Sequence, residues 1–246
     1  MHLLAIDTSS AGTLVVARSA SGAVAERRHE PGQGERPAHT TLGLVLAAQA
    51  LEELGLTWTD LDRVGVGTGP GSFTGLRAGL SAAAGIARRL GIPLVGITAP
   101  ELLAAGAAVR AGDRPLLTVV DGRRRELFVE RWTLAAPHGD GPLRARNGGG
   151  IDVLRRADVG ERLESLAGWL VVGDGALLER EALLALGADV PDPSDPAHQL
   201  GGHALADLTA TGTPRHADEI RPTYGREADA VPTAQRAAGH QQTGER

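Results

Sequence analysis

Between Val64 and Ile97 the chain runs through a short apolar stretch, Val64–Gly67, then the turn-rich TGPGSFTGLR of Thr68–Arg77. A helical stretch from about Gly75 to Leu90 and a second apolar stretch, Ile92–Ile97, follow. Strand, glycine-rich turn, helix, strand is a parallel crossover, and such a unit requires a sheet covered by helices. Upstream lie three strand-like stretches, Leu3–Asp7, Thr13–Arg18 and Ala23–His29, separated by SSAG and SASG. Gaps of hairpin length make them an antiparallel meander. The loop PGQGERP leads into a predicted helix, Ala38–Leu54, supported by Leu42, Val45, Leu46 and Leu54 and stopped at Gly55.

A meander followed by helix-linked parallel strands suggests an α/β lobe of the actin-like or ribonuclease H-like kind, with mixed sheets flanked by helices. Beyond about Arg110 the pattern partly restarts, with Leu116–Val120, a Gly/Arg turn at Gly122–Arg125, and Glu126–Trp132. Leu170–Val172 reads as a further strand, Ala176–Leu186 and Ala197–Leu208 as helices, and Ala135–Gly150 as a Gly/Pro-rich loop. Two lobes are therefore expected, 1–104 and 105–227, with a boundary near Thr98–Gly112. Residues 228–246 lack apolar periodicity and read as a flexible tail.

Composition narrows the functional classes. The 246 residues contain no cysteine, which excludes disulfides, thiolate metal sites and cysteine nucleophiles. The start, MHLLAIDTSS, lacks a basic region followed by an apolar core, and every long small-residue run is interrupted by charge, so a cytoplasmic protein without a membrane partner is expected. The net charge is −5 and all 25 basic residues are Arg. An acidic chain with 2% aromatic residues has little general pull on nucleic acid and few stacking platforms, so RNA contact has to come from a local Arg patch or a partner.

Two segments could carry chemistry. Asp7 ends the first strand beside Thr8 and Ser9, and a carboxylate with neighbouring hydroxyls and amides can face a nucleotide phosphate; equally, Asp7 can simply close the hairpin. In TGPGSFTGLR, Gly69 and Gly71 allow close backbone approach, Pro70 fixes a dihedral, and Ser72 or Thr74 can cap the helix. The spacing is neither a P-loop nor a dinucleotide fingerprint, and it contains no Lys, so a sharp structural turn is as good a reading as a ligand cradle.

The segments IDTS at Ile6–Ser9, GPGSFTGLR at Gly69–Arg77, IPLVGI at Ile92–Ile97, DGRRRELFVERW at Asp121–Trp132, VVGDGA at Val171–Ala176 and RPTYGR at Arg221–Arg226 together resemble the TsaB family, in the correct order over roughly residues 1–230. That resemblance implies a two-lobed actin-like (ASKHA) fold. It also implies a non-catalytic scaffold or activator of tRNA N6-threonylcarbamoyladenosine synthesis, working with a TsaD-like catalytic paralogue and a TsaE-like ATPase. ATP and a divalent metal are then expected on the partner subunits, with no intrinsic cofactor here, and tRNA is engaged mainly through the complex. Older descriptions grouped the family with glycoproteases, but neither a nucleophile-elbow GxSxG nor HExxH occurs in this chain.

The catalytic paralogue resembles a metal-dependent enzyme with an HxxxH pair on the helix after its meander. Here His39 is followed four positions later by Gly43, and one imidazole cannot replace two ligands on one helical face. The two helices of the first lobe instead carry small and apolar positions suited to a partner interface: Leu42, Gly43, Leu46, Ala47, Leu76, Gly79, Leu80 and Ala83. Packing of these helices within their own lobe accounts for the same pattern. DGRRR could steer phosphate or tRNA, or be a solvated turn. Two other functions remain open: an ATP-dependent transferase or kinase-like enzyme using Asp7 and the glycine-rich turn, and a homodimeric binding protein.

Overall fold

The computed structural model describes residues 1–32, 39–135, 144–147 and 149–223. The first sheet contains β1 (Leu3–Asp7), β2 (Thr13–Arg18), β3 (Val24–His29), β4 (Arg63–Gly69) and β5 (Leu94–Thr98), in the order β3-β2-β1-β4-β5. The first three strands pair antiparallel, and β4 and β5 continue the sheet in parallel from β1. The expected meander and crossover are thus both present. Central β1 has helices on both faces, which is why LLAI is continuously apolar: Leu3 and Ala5 enter one core layer, Leu4 and Ile6 the other.

On the Leu4/Ile6 side lie α1 (His39–Glu53) and α2 (Phe73–Leu90). Ser72 caps α2 by accepting from the Gly75 amide, and Gly91, at φ 68°, ends it in the left-handed conformation that glycine adopts without steric cost. The opposite face meets α3 (Ala99–Ala111), a helix in the place where the sequence predicts an inter-lobe boundary. Its start is a reciprocal capping box: Glu101 donates its amide to Thr98 Oγ1 at 3.2 Å, and the Thr98 amide donates to Glu101 Oε2. Leu102 packs into the first lobe, whereas Ala99, Leu103, Ala104, Ala107 and Ala111 pack into the second. A division between residues 104 and 105 therefore cuts through a helix that both lobes share.

The second sheet comprises β6 (Leu116–Arg123), β7 (Glu126–Ala135), β8 (Arg144–Asn147), β9 (Asp152–Arg155) and β10 (Leu170–Val172). Its order is β10-β6-β7-β8, with β9 also pairing β7 and β10 parallel to β6. One strand, β8, falls inside the stretch expected to be all loop. Cover on one face comes from the short helices α4 (Val159–Arg162), α5 (Asp174–Leu178) and α6 (Arg180–Ala185). The single helix expected over Ala176–Leu186 is broken at Glu179.

The chain then returns. The helix expected at 197–208 is a one-turn 3-10 segment, Pro196–His198, followed by α7 (Gly202–Thr211). Leu205 and Ala206 of α7 pack with Leu3, Leu14, Val16 and Val95 of the first sheet. Arg215 bridges to Leu94, Ala217 and Ile220 join the core beneath α2, and the Thr223 amide donates to the Thr68 carbonyl at 2.7 Å. Residues 202–223 therefore belong to the first lobe and not to the second as the 105–227 division supposes, because α3 alone does not cover that face of a five-stranded sheet. The described architecture is a two-lobed α/β fold with mixed sheets flanked by helices. The expected tail, 228–246, lies outside the described residues. Among the described residues no helix is long and apolar enough to cross a membrane.

Candidate functional site

The end of β1 is stitched to the glycine-rich turn. Asp7 is buried, and its Oδ1 accepts from the Ser9 amide at 2.8 Å and from Ser9 Oγ at 2.7 Å. Ser9 gives its carbonyl to the Ser72 amide at 2.7 Å, and Thr8 Oγ1 donates to the Gly75 carbonyl at 2.7 Å. Three glycines make this approach possible. A Cβ on Gly71 would sit 2.1 Å from the Ser9 carbonyl oxygen, one on Gly79 would sit 2.2 Å from Thr8 Oγ1, and one on Gly67 would sit 1.8 Å from Asp7 Oδ2. Of the sequence candidates for a nucleotide phosphate, Asp7 Oδ1, Thr8 Oγ1 and Ser9 Oγ are thus bonded within the chain. Burial raises the Asp7 pKa above the usual carboxylate range, opposed by the Ser9 hydrogen bonds. Asp7 Oδ2 is buried without a hydrogen-bond partner.

Beside this junction the two lobes enclose a cleft of about 240 Å³, below the roughly 300–1,000 Å³ of typical small-molecule pockets. Ser9, Ser10, Arg28 and Ser72 face it from the first lobe, Asp121, Arg123 and Asp174 from the second, and His198 from the connection between them. Asp174 Oδ1 accepts from the amides of Asp121 and Gly175, both at 2.9 Å. Desolvation by the surrounding cleft nevertheless raises its pKa, with the neighbouring Asp121 charge adding to it, although the residue as a whole remains exposed. His198 lies with Nδ1 3.2 Å from the Gly173 amide and Nε2 3.3 Å from the Pro191 carbonyl, so both ring nitrogens serve the backbone. Ser9 Oγ donates to the Asp7 carboxylate and Ser72 Oγ accepts from the Gly75 amide, so both hydroxyls are engaged within the chain. Asp174 and His198 escaped the sequence reading; the D-P-A-H turn capped by Asp195 marks a local bend but not its place at the cleft.

The helical surface differs from its sequence expectation. Gly43, Ala47, Leu76, Gly79 and Ala83 are buried within the chain, and Leu42, Leu46 and Leu80 are half-buried. Small residues permit close approach without specifying of what; here α1 and α2 approach their own sheet and each other. The outward positions are Leu44, Val45 and Phe73, at 46%, 49% and 54% exposure. Arg77 stacks on Phe73 with its guanidinium 3.9 Å from the ring centre. Between α1 and α2 runs a mainly apolar groove lined by Leu44, Trp58, Ala82, Gly85, Ile86 and Leu90 together with Ser81 and Arg89. Gly43 lies one turn beyond His39 on α1 and offers no ligand. Among the described residues no group of three or more His, Asp or Glu is placed to hold a metal ion.

Comparison with known proteins places this geometry in context. The family model for TsaD, tRNA N6-adenosine threonylcarbamoyltransferase, matches residues 34–134. The Escherichia coli tRNA threonylcarbamoyladenosine biosynthesis protein TsaB is 30% identical over 179 residues, 71% of this chain and 72% of that protein. An uncharacterized Mycobacterium tuberculosis protein is 35% identical over 185 residues, covering 75% and 74% of the two chains. Among solved structures, YeaZ from Pseudomonas aeruginosa superposes with a TM-score of 0.69 at 23% identity over 91% of this chain and 100% of that one. A second Pseudomonas aeruginosa protein, with similarity to peptidase YEAZ, gives a TM-score of 0.73 at 24% identity, covering 92% and 99%. At these identities the two structures establish the shared fold.

Proposed function

The chain belongs to the TsaB family, and from that premise we propose that it is a non-catalytic subunit of tRNA threonylcarbamoyladenosine synthesis that pairs with a TsaD-like catalytic paralogue. The observation that carries this reading is the closure of the β1 junction: the Thr8 and Ser9 groups suited to a phosphate are already bonded to Asp7, Ser72 and Gly75. That closure weighs against an ATP-dependent transferase or kinase seated on Asp7. ATP, a divalent metal and the TsaE-like ATPase then act on the partner side of the assembly.

The docking face in this reading is the outer surface of α1 and α2, where Leu44, Val45 and Phe73 supply apolar area. Gly85 is an exposed position in the groove, and a Cβ there meets nothing within 4 Å, so Gly85→Arg leaves the chain folded while placing a charge in the contact. Titrating wild-type and variant chains against the organism's TsaD-like protein, with threonylcarbamoyladenosine in tRNA read by mass spectrometry, tests the proposal. A loss of at least about tenfold in affinity is expected, with melting unchanged. Equal affinity would move the docking face elsewhere. The same apolar face also suits a second copy of this chain, which concentration-dependent light scattering of the isolated protein would reveal.

A further inference from the structure

The β6–β7 hairpin turns in a way its residues do not favour. Arg123 pairs with Glu126 across the two strands, so the loop is the two-residue Arg124–Arg125, preceded by a bulge at Gly122. Arg123, Arg124 and Arg125 have φ values of 60°, 48° and 66°. Among the described residues no other non-glycine residue has positive φ. Two successive left-handed positions make a turn of the I′ kind, where Asn-Gly is favoured because those residues tolerate the conformation. Arginine has no such tolerance, and three in succession hold the backbone in a sparsely populated region.

The strain places cationic groups together. Arg123, Arg124 and Arg125 are exposed, and Arg123 borders the cleft mouth. Arg155 stands opposite Glu126 at the end of β9, with a 77% exposed side chain, and the Arg156 amide donates to the Arg125 carbonyl at 2.9 Å. Five arginines therefore meet at one end of the second sheet of a chain whose net charge is −5. Asp121, Asp158 and Glu179 pair with Arg123, Arg155 and Arg156, but in each pair the carboxylate is the more buried partner, at 12%, 27% and 15% exposure, and the arginine is the side that faces solvent.

We infer that the Arg123–Arg125 turn is a contact for the phosphodiester backbone of RNA, with its unfavourable backbone retained to project the guanidiniums. This rests on the proposed role in tRNA modification and assigns a direct RNA contact to this subunit. Arginine forks match phosphate oxygens, and a tip of exposed arginines on an acidic chain localises the contact without general attraction to nucleic acid.

The test replaces the turn with the residues its conformation favours, Arg124→Asn with Arg125→Gly. The variant is measured as the isolated chain by thermal melting, and in complex with the TsaD-like paralogue by titration with unfractionated bacterial tRNA at several salt concentrations. The expected result is a melting temperature about 2–4 °C higher, together with weaker tRNA binding and a log–log salt slope smaller by about two. An unchanged slope and affinity would overturn the inference, as would a variant that melts no higher. Loss of the paralogue with the tRNA slope intact would also overturn it, by identifying the contact as an acidic protein surface. Failure of the wild-type chain to pair at all would refute the proposed function instead. The same tRNA titration on the chain alone then decides the turn, and absence of salt-dependent binding there overturns it.

Discussion

The first strand of each lobe's opening hairpin carries an aspartate close to its end, Asp7 as the last residue of β1 and Asp121 two residues before the end of β6, and the two are used in opposite ways. Around Asp7 the hydroxyls of Thr8 and Ser9 turn inward: Ser9 bonds the carboxylate, Thr8 reaches α2, and Gly67, Gly71 and Gly79 leave the room. Around Asp121 the chain turns outward, with the side chain holding Arg123 through both its amide and its guanidinium at 2.9 Å, and the next two residues, both arginines, are exposed. One topology therefore serves two ends. Inward use binds the sheet to its crossover turn, and outward use presents charge at a cost in backbone strain.

The sharpest way to break this contrast is to add one methyl group to each junction. In Gly71→Ala the new carbon lies 2.1 Å from the main-chain oxygen of Ser9, which cannot retreat as a flexible side chain would. We expect a loss of about 3 kcal/mol, or roughly 6–12 °C in melting temperature. The counterpart Gly122→Ala meets nothing nearer than 3.0 Å and should cost clearly less. Equal losses in the two variants would mean that the hairpins are equally closed.

A smaller effect with a pH signature is expected at Asp7. Because burial raises its folded-state pKa, the native chain binds more protons than the unfolded chain between the ordinary carboxylate range and the raised value. Asp7 ionisation therefore opposes folding: its penalty is absent below the ordinary pKa, grows as pH rises through that window, and is complete above it. Asn keeps an oxygen to accept from Ser9 and carries no charge, so Asp7→Asn should melt higher than wild type at pH 7, with the gap closing on acidification. A gap that did not change with pH would refute the inward reading of this carboxylate.

The smallest effect belongs to Asp121→Ala, which removes two bonds to Arg123 at a partly exposed site but also relieves Asp174 of a neighbouring charge. A net loss of about 0.5–1 kcal/mol in chemical denaturation is expected. A loss as large as that of Gly71→Ala would show that the outward hairpin is as structural as the inward one.

Much of the first sheet was legible because its signals are local: the two-face apolar run of β1, the serine and glycine punctuation of the meander, and the glycine-rich turn before α2. Helix α3 was not read, since a run of alanine and leucine buried on two sides shows no stripe, although Thr98, Pro100 and Glu101 formed an ordinary start signal. The placement of α7 was illegible for a different reason. An apolar stripe announces that a helix will pack but not against which sheet. At the site, the hydroxyls of Thr8 and Ser9 were visible as chemistry, whereas their direction depends on glycines some sixty to seventy residues away. Gly79 and Ala83 likewise advertised close approach, and only the fold reveals that the approaching surface is their own sheet.

The return of α7 also bears on how the chain is made. The first sheet has all five strands once Thr98 has left the ribosome, but the helix that covers Leu3, Leu14, Val16 and Val95 is not complete until Thr211, about a hundred residues later. At ordinary synthesis rates of roughly 5–20 residues per second, those side chains wait on the order of 5–20 seconds without their cover. Throughout synthesis of the second lobe the nascent first lobe thus carries apolar surface, only partly covered by α3, of the kind that holding chaperones bind. A ribosome that stalls between the two lobes releases a sticky fragment, not a smaller domain.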